Sequence, residues 1–77
     1  MFTEEELGFV KIADVGSIAF IKRVRTFDPY DEWYVVDQLE ICDGCRKRTT
    51  RTHTDFMAAN EDYQKRLALM KARKVSK

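Results

Sequence analysis

The dipeptide Asp43-Gly44 restricts this chain more than any other feature. A two-residue type I′ turn needs φ > 0 at both central positions, and Asp-Gly is among the few pairs that accept this. Before it, alternate positions separate into Trp33, Val35, Asp37, Leu39 and Ile41, apolar except for Asp37, and a mixed set of Glu32, Tyr34, Val36, Gln38, Glu40 and Cys42. A period of two with β-branched and aromatic residues predicts a half-buried strand with Trp33 in the core. After the turn, Cys45–His53 contains Thr49, Thr50 and Thr52 and no helical apolar spacing, which favours a pleated return. The expected unit is a hairpin with Cys42 facing Cys45 across its first rung.

The flanking segments supply the rest of a domain. Thr3-Glu4-Glu5-Glu6 has the form of a capping box, with Phe2 and Leu7 as its staple, but Gly8 limits it to one helical turn at most. Val and Ile are frequent between residues 9 and 25 and lose χ1 freedom in a helix, so strands are expected at 9–13 and 17–27. In the second, Ile18, Phe20 and Val24 share one face, and Ile21, Arg23 and Arg25 the other. Asp28-Pro29 suits the first two positions of a type I turn, which places a reversal within Phe27–Asp31. Past His53 the period changes. Thr54 or Asp55 is suited to cap a helix from 55 to about 73, with Phe56, Ala59, Tyr63, Leu67 and Met70 on one stripe. Acid-first pairs Glu61–Lys65 and Asp62–Arg66 support it, and acids early with bases late match its dipole. The expected fold is α+β: a small antiparallel β-meander of three or four strands packed against one C-terminal α-helix. All 77 residues form a single domain, with a frayed tail from about residue 74.

Charge is distributed unevenly. Net charge is +1, yet residues 1–43 carry ten acids against four bases and residues 44–77 ten bases against three acids. This predicts one basic face, or two halves that neutralise each other. No apolar run approaches the ~20 residues of a membrane span, so no membrane association is expected. The acidic start lacks the regions of a secretory signal, and with two cysteines a cytoplasmic, reducing location is expected.

Few chemistries suit these residues. Cys42 and Cys45 have C-x-x-C spacing, with His53 as a third candidate metal ligand. A closed zinc site needs four ligands, so a carboxylate, or two chains each giving two cysteines, would have to complete it. The Asp-Gly hairpin already accounts for the spacing, so no metal or other cofactor is expected. Metal binding, a disulfide and free thiols all stay open for this pair. Redox C-x-x-C motifs open a helix, whereas a β-prone run follows here. His53 is the only histidine, no nucleophile is placed beside it, and nucleotide-binding and zincin motifs are absent, so the chain is not expected to be an enzyme.

Binding remains. Arg46, Lys47, Arg48 and Arg51 form a basic run whose spacing and threonine hydroxyls suit phosphates, but no nucleic-acid-binding motif accompanies them. Tyr30 and Tyr34, flanked by acids, are expected as exposed aromatic anchors of a type enriched at protein interfaces. The combined expectation is a small regulatory or inhibitory protein that docks on a protein partner, within a nucleic-acid-handling complex. Its contact residues would be Arg46, Lys47, Arg48, Arg51, Tyr30 and Tyr34. Direct nucleic-acid binding through 45–53 and the helix is the alternative, and a homodimer is a further reading.

Overall fold

The computed structural model describes the backbone of residues 1–75 and the side-chain surroundings of residues 1–73. Strands β1 (Phe2–Ile12), β2 (Gly16–Arg25), β3 (Asp28–Cys42) and β4 (Cys45–His53) form one antiparallel sheet in sequential order. Helix α1 (Phe56–Val75) follows and lies on one face, giving an α+β meander. The domain is long and flat, 47 × 22 × 14 Å. No helix among the described residues is long and apolar enough to cross a membrane. The tail expected to fray from about residue 74 is helical as far as Val75, and Ser76 and Lys77 lie outside the described residues.

The N-terminus corrects one expectation. The capping-box residues form no helical turn; they belong to β1, paired with β2 from Phe2↔Arg25 to Ile12↔Gly16, with an irregularity at Leu7. One isolated helical turn is an unfavourable nucleus, whereas the ladder gives the same backbone groups partners. Charge assists, because Arg23 Nε donates to Glu4 Oε2 at 2.7 Å.

The second correction concerns the β2–β3 reversal. It occurs at Thr26-Phe27, since Arg25 pairs with Asp28, ahead of the expected Asp28-Pro29 position. The next rung is Val24↔Glu32, which leaves Pro29, Tyr30 and Asp31 as a bulge. Proline has no N–H to give a ladder, and Asp28 Oδ1 accepts from Tyr30 N at 3.1 Å, closing a local turn inside the bulge. The β3–β4 turn forms as expected, with φ of 50° at Asp43 and 81° at Gly44.

The helix stripe is buried as its spacing predicts: Ala59, Tyr63, Leu67 and Met70 are core, and Phe56 is half-exposed against Phe20 and Tyr34. Asp55 caps the helix, accepting from Ala58 N at 3.2 Å, although the first turn holds no acid. The sheet surface beneath α1 differs from expectation. It is formed by Ile12, Ile18, Phe20, Tyr34 and Val36, together with Gln38, whereas Trp33, Asp37, Leu39 and Ile41 occupy the open face and are only half-buried. Trp33 is therefore not a core residue; it meets Phe2 edge-on with ring centroids 5.7 Å apart. The apolar residues of the neighbouring strands decide the matter, because Ile18 and Phe20 pair with Gln38 and Val36 and a rung's side chains share one face. On the open face Val35 is still only 2% exposed, set between Ile21 and Thr52 in register.

Candidate functional site

Strand β4 is an edge of the sheet, so one side of its backbone has no strand partner. Register with β3 assigns its side chains. Arg46, Arg48, Thr50 and Thr52 share the open face with Ile41, Leu39, Asp37 and Val35; Lys47, Thr49, Arg51 and His53 share the helix side with Glu40, Gln38, Val36 and Tyr34. The basic run thus presents cations on both faces of one edge.

These bases are not equivalent. Arg48 Nε donates to Asp37 Oδ1 at 3.0 Å and a second guanidinium nitrogen reaches Oδ2, while the Thr50 hydroxyl donates to the same carboxylate at 3.2 Å. The Arg48 bonds hold the Asp37 carboxyl below its ordinary range, against the opposing effect of burial. Asp37 in turn raises the Arg48 pKa. Glu40, directly across from Lys47, lies 3.7 Å from Arg73 instead. Among the described residues, Arg46, Lys47 and Arg51 have no carboxylate partner.

Between the β3–β4 side of the sheet and α1 runs a groove. Its larger part, about 670 Å³, is lined by Gln38, Asp62, Lys65, Arg66, Leu69 and Arg73 among others, and its continuation by Arg51, His53 and Lys65. Arg66 Nη1 donates to the buried Gln38 at 2.8 Å and its Nε to Asp62 Oδ1 at 2.6 Å; His53 Nε2 lies 2.9 Å from Asp62 Oδ2. Burial raises the Asp62 pKa, but the bonds from His53 and Arg66 outweigh it and hold the carboxyl below its ordinary range.

The remaining candidates are dispersed. Tyr34 is not an exposed anchor: it is 7% exposed under the helix, packed on Phe20 and Phe56. Tyr30 is 94% exposed, but it lies at the β2–β3 end, separated from Arg46 by roughly 35 Å of strand at about 3.3 Å per residue. Its neighbour there is Phe27, 87% exposed, which the sequence did not single out. Cys42 and Cys45 are exposed and free at the opposite end. Their supposed co-ligand His53 is engaged with Asp62 and stands roughly 25 Å of strand away, again at about 3.3 Å per residue. Among the described residues, no three His, Cys, Asp or Glu side chains converge to hold a metal. Sequence reasoning also overlooked Asp37 as the partner of Arg48. The signal was present, since counting rungs back from Cys42↔Cys45 puts Asp37 diagonal to Arg48 on one face.

No family model matches the chain, and no curated protein or solved structure matches it.

Proposed function

We propose that this chain is a small non-enzymatic docking protein that takes an extended acidic segment of a partner protein along the outer edge of β4. The observation that carries the reading is an edge strand with unneutralised cations on both faces: Arg46 on the open side, Lys47 and Arg51 on the helix side. An added strand hydrogen-bonds to the edge backbone and sends its side chains alternately to the two faces, so consecutive acids meet bases above and below. A phosphate chain lying across one sheet surface would reach only part of this set. The open surface it would cross is balanced by the pairs Glu4–Arg23, Asp31–Arg25 and Asp37–Arg48. Like charges along β4 also disfavour self-pairing of two such edges, which directs the edge toward an oppositely charged partner. A regulatory or inhibitory role within a nucleic-acid-handling complex accords with such a surface, since partners there are themselves charged.

Blocked peptides rich in Glu and Val, and an arbitrary single-stranded oligonucleotide, serve as probes. The peptides are expected to bind with a salt-sensitive affinity and to slow hydrogen exchange at β4 amides. K47E with R51E should abolish that binding. Tight oligonucleotide binding with a steep salt slope, beside peptides that fail to bind, would transfer the function to nucleic acid.

A further inference from the structure

We infer that Cys42 and Cys45 form half of a four-thiolate zinc site, completed by the same pair from a second copy of this chain. The two residues occupy partner positions on the first rung of the β3–β4 hairpin. Partner side chains project to one face with Cβ atoms about 4.5–5.5 Å apart, close enough for both sulfurs to reach one zinc at about 2.3 Å. Both thiols are exposed and neither is in a disulfide; Cys42 Sγ donates to the neighbouring Asp43 Oδ2 at 3.8 Å, and at Gly44 nothing lies within 4 Å of where a Cβ would stand.

One chain supplies only two ligands. His53 is bound to Asp62 at a distance along the strand, and among the described residues no further acid, histidine or cysteine joins the thiols as a metal-holding group. Structural zinc closes its shell with four donors, and a two-fold axis through the metal brings the same pair again. Zinc with four thiolates is an anionic centre; Lys47 shares the face of Cys45, and Arg73 donates to the Ile41 carbonyl at 3.2 Å next to Cys42, while Asp43 is the acid beside the pair. On coordination each thiol releases its proton to solvent and gives a sulfur lone pair to the metal, and no oxidant takes part. The inference does not rest on the docking reading, since it uses the hairpin tip and not the strand edge.

The test adds zinc chloride to the full, reduced chain and reads native mass and sedimentation. The expected species is two chains with one zinc, and cobalt in its place should show the thiolate charge-transfer absorption of a four-sulfur site. C42S and C45S should each lose both metal and dimer, while H53A should keep both; circular dichroism verifies that each variant is folded. Failure to retain zinc, one zinc on a single chain, or zinc retained by the C42S/C45S double variant would each overturn the inference.

Discussion

Arg48 grips Asp37 diagonally across the β3–β4 hairpin, with both carboxylate oxygens engaged. The bond neutralises the last base of Arg46-Lys47-Arg48 with an acid of its own sheet and makes it a tie between the last two strands, although its side chain stays largely exposed. The proposed docking contacts and the stabilising tie therefore fall on different residues of one strand. Acidic-peptide binding should fall on reversing Lys47 and Arg51 and stay nearly unchanged in R48M, whose effect should appear instead as a lowered Tm.

The same tie sets a pH dependence. The Asp37 carboxyl is more acidic in the native chain than its ordinary value of 3.8, principally through Arg48. Its contribution to stability is present above that value and is lost as pH falls through the lower native pKa. Melting curves of the wild type and D37N should therefore stay apart at neutral pH and converge below the ordinary aspartate value. A gap of constant size across the acid range would contradict this.

Gly16 and Gly44 both have positive φ, at 144° and 81°, but only Gly16 faces a wall. A Cβ there would stand 2.0 Å from the Leu39 carbonyl oxygen, whereas at Gly44 it would meet open space. Chemical denaturation should show G16A losing about 3 kcal/mol or more, from strain plus backbone displacement. G44A should lose only about 1–2 kcal/mol, the cost of a left-handed conformation.

The two tyrosines expected as anchors should respond in opposite ways. Removing the buried Tyr34 ring leaves a cavity against Phe20 and Phe56, so Y34A should cost about 3–5 kcal/mol. Y30A should stay within about 0.5 kcal/mol of the wild type, as its ring is in solvent. Equal losses in urea unfolding would refute the assigned face of β3.

Arg66 satisfies Gln38 and Asp62 together in the part-buried layer between sheet and helix. R66M should cost about 1–3 kcal/mol by leaving Gln38 Oε1 and Asp62 Oδ1 without that donor, His53 still serving Asp62 Oδ2. Adding Q38L should recover part of that loss, because an apolar pair needs no hydrogen bond there. Denaturant midpoints of the single and double variants measure both effects.

Much of the architecture was legible because it follows from local rules. Asp43-Gly44 accepts a left-handed pair of residues wherever it occurs, so the β3–β4 turn and its Cys42↔Cys45 rung could be read from neighbours alone. The stripe from Ala59 to Met70 is a matter of helical period, and Asp55 caps by its own short side chain. The failures occur where local preference was weak or divided. Thr3–Glu6 resembles a helix start, yet one turn cannot sustain itself beside a strand offering a full ladder and Arg23. Pro29 marks a break in pairing, but the chain had already reversed at Thr26-Phe27, where no residue announces it.

The face of β3 is the informative case. Its alternate positions were both partly apolar, so either set was able to enter the core, and the choice fell to Ile18 and Phe20 across the ladder. That choice buried Tyr34, moved Trp33 to the open side and placed Asp37 within reach of Arg48. Turn chemistry, strand and helix periods and the basic character of β4 belong to the amino-acid sequence, because each depends on residues a few positions apart. Which bases remain unspent, which tyrosine stays in solvent and which edge is open were decided only by tertiary structure, because a charge or a ring is neutralised or covered by whatever the fold brings against it.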